Sequence, residues 1–142
     1  MRSWRVISCA FILATGCGTP REVRLPVEGN VTMAGKALST GVVIFYPDVD
    51  KGNASKHEPR AKIEADGSYR ASTGLQPGAT AGWYKIAILS TNDAEARTNY
   101  SLPRSLIPKG YGDKEKSGLA LEVRKDAPPR AYDFDLDPAF EK

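Results

Sequence analysis

The sequence predicts an all-β fold, and we expect a seven-stranded antiparallel sandwich of two sheets with Greek-key connections. From Val27 onward, apolar and polar side chains alternate with a period of two. The alternating runs are short, and Gly, Pro, Asp and Asn separate them. We therefore expect no helix of useful length. A chain of 142 residues has room for one domain that buries its own core.

Seven segments are predicted as strands. Six of them alternate, and they cover residues 27–33, 60–65, 69–71, 83–88, 119–124 and 132–137. The seventh, Val42–Tyr46, is apolar at every position, which predicts a central strand covered on both faces. Asp66-Gly67 follows the run at 60–65 and predicts a hairpin turn in which both residues take positive φ.

The amino terminus has the layout of an export signal. Arg2 and Arg5 precede an uncharged run at 6–14, which is too short to cross a bilayer as a helix. Small residues then lead to Cys17, and the segment resembles the lipobox of bacterial lipoproteins. That resemblance implies that residues 1–16 are a signal peptide and that Cys17 carries acyl chains such as palmitate. The alternative is a plain signal peptide cut nearby, with Cys17 left as a thiol.

Three further segments complete the predicted organisation. Residues 17–26 contain the lipidated cysteine and an extended tether with two prolines. Residues 27–137 form the β-sandwich domain, and residues 138–142 form a C-terminal tail. Gly18, rather than Asp, follows the cysteine, and by resemblance to well-studied bacteria this favours the outer membrane over the inner membrane.

Charge and residue types exclude several functions. Removing Arg2 and Arg5 with the signal leaves 18 basic against 17 acidic side chains, so the sequence predicts no nucleic-acid partner. His57 is the single histidine, and one mature cysteine cannot complete a common zinc site. The calcium-like segment 48–53 is interpreted as a turn, and the acidic side chains of Asp133, Asp135 and Asp137 as a solvated strand face. We expect no metal and no cofactor.

The order of motifs resembles a known domain family. The motifs are Val27–Val31 with Gly35, Gly41–Pro47, Ala65–Tyr69 and Gly82–Ile86. Together they are similar to the carboxypeptidase regulatory-like domain, which is also called transthyretin-like or prealbumin-like. The segments at 107–113 and 117–119 are similar to small bacterial envelope lipoproteins built from that domain. The resemblance implies a prealbumin-like or Ig-like Greek key without catalytic activity.

Four residues form the candidate binding surface. Trp83 is predicted to face away from the core side of its strand, which suits an aromatic platform for a sugar or a protein. Leu106, Ile107 and Tyr111 lie in the long connection at 90–118 and are predicted to form an apolar clasp. The alternative is structural, because the connection can cover an open end of the core and Trp83 can pack beneath it.

The sequence thus predicts a lipid-anchored protein of the cell envelope with a noncatalytic module for binding, adhesion or assembly. Its expected partners are the bilayer, through the acyl chains on Cys17, and an envelope protein or polysaccharide. One alternative is a small secreted hydrolase that uses surface carboxylates such as Asp113 and Glu115. Another is a structural subunit that requires partner chains.

Overall fold

The structure, a computed structural model, describes residues 22–141 and is mostly β. Its strands, in chain order, are β1 (Arg24–Leu25), β2 (Glu28–Met33), β3 (Lys36–Ala37), β4 (Val42–Pro47), β5 (Arg60–Lys62), β6 (Ser68–Arg70), β7 (Ser72–Thr73), β8 (Gln76–Pro77), β9 (Ala79–Thr80), β10 (Gly82–Leu89), β11 (Ala120–Val123) and β12 (Phe134–Leu136). One α-helix, α1, spans Asp93–Thr98, and 3-10 turns span Val49–Lys51 and Lys109–Gly112.

The predicted count of seven differs from the twelve strands that the structure has in residues 22–141. Seven of the twelve contain three or more residues, namely β2, β4, β5, β6, β10, β11 and β12. The other five contain two residues each, because turns interrupt the chain before a longer ladder forms. Alternation over so few residues carries too little pattern to be recognised in the sequence.

The larger sheet has six strands in the order β11-β10-β4-β5-β7-β8, and all of its pairs are antiparallel. The prediction that Val42–Tyr46 is a central strand is confirmed, because β4 lies between β10 and β5. Val43 and Phe45 are fully buried on one face of β4, and Ile44 is buried on the other.

The second sheet corrects the expectation of purely antiparallel pairing. Its order is β12-β2-β3, with β6 also paired to β2. β12 runs parallel to β2, with Phe134 opposite Val31. After β11 the chain leaves the larger sheet through the loop at 124–133, and it enters the second sheet in the same direction as β2.

Both sheets contribute side chains to one core. Aromatic rings connect them: the ring centroid of Phe45 in β4 lies 6.2 Å from that of Tyr69 in β6 and 6.1 Å from that of Tyr84 in β10. Tyr69 in turn stacks on Phe134 of β12 at 6.0 Å. Ring pairs at such separations add stabilisation beyond the apolar area they bury. The predicted inward positions of β2, β10, β11 and β12 are confirmed by this core.

The turn at Asp66-Gly67 exists, but its predicted geometry is wrong in one respect. Gly67 takes a positive φ of 85°, whereas Asp66 does not adopt the left-handed region. The Asp66 carboxylate instead accepts hydrogen bonds from the backbone N–H and the hydroxyl of Ser68. Both hydrogen bonds hold the pKa of Asp66 below its ordinary value, the hydroxyl more strongly. The turn thereby carries the chain from β5 in the larger sheet to β6 in the second sheet.

The long connection at 90–118 is more structured than the sequence predicted. It contains α1 and the 3-10 turn Lys109–Gly112. A helix of six residues has less than two full turns, and Ala96 is the residue that α1 buries. The helix therefore lacks the apolar stripe by which sequence analysis recognises a helix.

The two ends of β10 define two ends of the domain. At the first residues of β10 lies the β1 end, where β1 pairs with β9 immediately before β10 begins. At the last residues of β10 lies the α1 end, which comprises α1 and the chain through Leu106. Eight residues of extended strand separate the two ends by roughly 23 Å.

Candidate functional site

Cys17, the predicted lipidation site, lies outside the described residues, and so do the predicted signal peptide and most of the predicted tether. The described part adds one finding about that tether. Arg24 and Leu25, inside the predicted range 17–26, form β1 and pair with Thr80 and Ala79. The chain is therefore held by the domain before residue 27.

Trp83 lies at the β1 end, on the outer face of β10. Its neighbours Tyr84, Ile86 and Ile88 turn into the core, as predicted. The Trp83 ring is half-buried, and the Lys51 ammonium lies over it, 4.0 Å from the ring centroid. A cation from the turn after β4 thus covers a face of the indole ring.

The turn over Trp83 depends on Asn53. Its side-chain amide donates a hydrogen bond to the Trp83 carbonyl over 2.8 Å, and its oxygen accepts one from the Ser55 N–H. Gly82 packs directly against Asn53, where a Cβ would lie 3.0 Å from the amide. This segment confirms the interpretation of 48–53 as a turn after a strand.

Ile107 and Tyr111 are core residues. The Tyr111 ring stacks on Phe140 at 4.3 Å, and its hydroxyl accepts a hydrogen bond from the Asp137 N–H over 2.9 Å. These contacts agree with the alternative interpretation, in which the long connection covers an open end of the core. Two of the three residues of the predicted apolar clasp, Ile107 and Tyr111, therefore pack within the domain.

Leu106 remains 41% exposed at the rim of a cavity of about 800 Å³. Met33, Pro108 and Phe140 also line this cavity. Trp83 is not among the lining residues, since it lies at the opposite end of β10. The structure therefore brings Leu106, Ile107 and Tyr111 into one region and places Trp83 in another, so the four do not form one surface.

The two carboxylates of the alternative hydrolase have structural partners. The Asp113 side chain accepts a hydrogen bond from the Glu115 N–H over 2.8 Å, which closes a turn in the long connection. The Glu115 carboxylate accepts from the Lys85 ammonium at 2.9 Å and 3.1 Å. That hydrogen bond, more than any other influence, raises the pKa of Lys85 above its ordinary value of 10.5. Both carboxylates therefore make contacts within the domain.

Asp48 is the first residue of the calcium-like segment 48–53, and the sequence analysis assigned it no role in a site. Its side chain is 3% exposed, and its Oδ1 atom has no hydrogen-bond partner. It lies beside Asp50, Lys85 and Glu115 at a cavity of about 190 Å³. Lys85 already supplies the cation for this cluster, through Glu115 and, at 3.8 Å, Asp50. The sequence signal that could have identified Asp48 is an acidic residue directly after Pro47, the last residue of a buried strand.

The three aspartates in and beside β12 accept hydrogen bonds. Asp133 accepts from the Asn30 N–H at 2.9 Å and from the Arg130 guanidinium at 2.7 Å. The Arg130 contact is the main cause that lowers the pKa of Asp133. Asp135 accepts from the Thr32 hydroxyl, and Asp137 from the Ala139 N–H. Across residues 22–141, no group of three or more His, Cys, Asp or Glu side chains is placed to hold a metal ion.

His57 is exposed in the loop between β4 and β5. Within residues 22–141, none of the helices is long and apolar enough to span a bilayer.

Comparison with known proteins gives no assignment. The chain matches no protein-family model, no curated protein and no solved structure.

Proposed function

We propose that this protein is an envelope lipoprotein, anchored through acyl chains on Cys17, whose β domain is a noncatalytic module for binding, adhesion or assembly. The observation that carries the proposal is the amino-terminal pattern of Arg2 and Arg5, an uncharged run, and small residues before Cys17. The cell envelope, and the outer membrane in particular, is the proposed location.

The anchor is strong enough for permanent attachment. Each buried methylene contributes about 0.8 kcal/mol, and two or three acyl chains together hold a protein on a bilayer effectively permanently. The nearly neutral body adds little attraction to anionic lipids. Acylation of Cys17 is then the feature that decides where the protein resides.

For the domain, we propose a prealbumin-like Greek-key sandwich of the carboxypeptidase regulatory-like family. Support comes from the two sheets that share one core and from the match between the seven predicted segments and the seven longer strands. A small Greek-key sandwich offers loops and strand edges for recognition, which suits a module that binds an envelope protein or a polysaccharide.

The absence of catalysis is part of the same proposal. Support comes from Asp113, which closes a turn, and from Glu115, which pairs with Lys85. A panel of ester and glycoside substrates tests the rival hydrolase. We expect no turnover above a denatured control, whereas turnover that Asp113→Ala abolishes would overturn the noncatalytic assignment.

Metabolic labelling tests the anchor. Bacteria that express the full chain are grown with an alkyne-tagged palmitate analogue, and the purified protein is coupled to a fluorophore. We expect label on the wild type and none on Cys17→Ser. Cys9→Ser is the matched control, because it changes the other cysteine, inside the predicted signal, and should keep the label. An unlabelled wild type, or label that persists in Cys17→Ser, would contradict the lipoprotein assignment.

A further inference from the structure

Two apolar side chains stand exposed where the chain enters the domain. Leu75 is fully exposed, and Val23 is 77% exposed. Leu75 lies in the two-residue turn between β7 and β8, and Val23 directly precedes β1. Exposing a leucine completely to water forgoes the stabilisation that its burial would give.

The fold holds these two side chains at the β1 end. β1 pairs with β9, and the Arg24 guanidinium donates a hydrogen bond to the Gln76 side chain. Gly74 takes a φ of 60°, the positive value that the first position of a tight hairpin turn of type II′ requires. Leu75 therefore lies at the tip of a short hairpin whose next residues, Gln76 and Pro77, line one cavity with Val23.

The distance to the proposed anchor is short. Five residue steps separate Cys17 from Glu22, the first described residue, and a fully extended chain of that length spans roughly 18 Å at most. An acylated Cys17 lies at the membrane surface. The β1 end must then stay within about that distance of the bilayer, whereas the α1 end lies a strand length from the β1 end along β10.

We propose that the β1 end docks onto the bilayer, with Val23 and Leu75 seated in the interface between headgroups and acyl chains. This inference rests on the proposed lipid anchor and adds an orientation to it. The bilayer is the occupant because the tether brings it within reach of these side chains and because their apolar surface matches that interface. The docked domain directs α1 and the exposed Leu102 away from the membrane, toward soluble or envelope partners.

Depth-dependent quenching tests the orientation. After signal removal and acylation of Cys17, the wild-type chain has no free thiol, so Leu75→Cys introduces a single site for a fluorophore. Leu102→Cys is the matched control, since Leu102 is an equally apolar residue, 86% exposed, near the α1 end. Each lipidated mature protein is added to phosphatidylcholine vesicles that contain a lipid with a nitroxide on its acyl chain.

We expect the nitroxide to quench the fluorophore at position 75 and to leave that at position 102 largely unquenched. Val23→Asp, introduced into the labelled Leu75→Cys protein, should reduce the quenching, because it places a charge in the proposed interface. Leu102→Asp in the same protein should not change it.

The outcomes separate the orientation from the anchor. Equal quenching at the two positions, or no effect of Val23→Asp, would overturn the docked orientation while the protein still floats with the vesicles. A protein that does not float with the vesicles and whose Cys17 also takes up the fluorophore would overturn the anchor, and the orientation with it.

Discussion

The two faces of β10 differ in how they are buried. On the inner face, Tyr84, Ile86 and Ile88 are fully buried against the second sheet. On the outer face, Ala87 is buried, whereas Lys85 and Trp83 remain half-buried. The inner face of β10 is thus continuously buried, and the outer face is buried only in part.

Polar contacts fix the long connection to β10, both along the edge where β11 pairs and on the outer face. The Ser117 hydroxyl donates a hydrogen bond to the Ile86 carbonyl and accepts one from the Leu119 N–H over 3.2 Å. Farther along, Glu115 pairs with Lys85. Local alternation of apolar residues therefore decides which side chains of β10 are buried on the inner face. On the outer face, the contacts of Lys85 come from a residue thirty positions away in the chain. Substitutions on the two faces should therefore differ in size.

The largest effect on stability is expected for a substitution on the inner face of β10. Ile86→Ala leaves a cavity between the two sheets and should lower the free energy of unfolding by about 2–5 kcal/mol. Urea denaturation followed by circular dichroism measures the loss. Leu89→Ala is the matched control on the outer face of β10, where the half-exposed side chain should cost about 1 kcal/mol. Equal losses for the two variants would contradict the assignment of the faces.

An intermediate effect is expected where the loop bonds to the strand. Ser117→Ala removes the hydroxyl between Ile86 and Leu119 and leaves the buried Ile86 carbonyl without that donor, at a cost of about 1–3 kcal/mol. The same urea titration measures it. Ser101→Ala changes an exposed serine near α1 and should leave stability unchanged. Stability like that of the wild type in Ser117→Ala would show that this hydroxyl does not hold the loop.

The smallest effect is expected for the ion pair between Lys85 and Glu115. Glu115 is exposed and screened by solvent, so Lys85→Gln should lower stability only slightly at neutral pH. Because the pair raises the pKa of Lys85, its contribution is fully present below the ordinary value of 10.5 and is lost as the pH rises through the higher folded value.

Thermal unfolding across pH checks this prediction. The small difference between the wild type and Lys85→Gln should disappear in strongly alkaline solution. Lys116→Gln, at an exposed neighbouring lysine, should show no such pH dependence. A difference that grows with pH, or that persists well above the raised folded pKa of Lys85, would rule out the ion pair as its source.

Much of the fold could be predicted because alternation is a local signal. Tyr84, Ile86 and Ile88 repeat every second residue, and Val42–Tyr46 is apolar throughout, so strand faces and a central strand followed directly. The parallel pairing of β12 with β2 could not be predicted in this way, since it depends on how a distant loop returns the chain. The φ of Asp66 is likewise set by its side-chain hydrogen bonds to Ser68.

The candidate site was harder to predict than the fold. Apolar residues in a long connection look alike whether they bind a partner or close a core, and the stacking of Tyr111 on Phe140 depends on residues 29 positions apart. Trp83 was correctly placed on the outer face, but the Lys51 ammonium over its ring follows from the turn geometry after β4.

The amino terminus of the mature protein tests the central claim most directly. Mass spectrometry of the protein extracted from bacterial membranes should identify an amino-terminal peptide that begins at Cys17 and carries the added mass of a diacylglycerol, with or without a third acyl chain. A peptide that begins at Met1, or one in which Cys17 is a free thiol, would contradict the account.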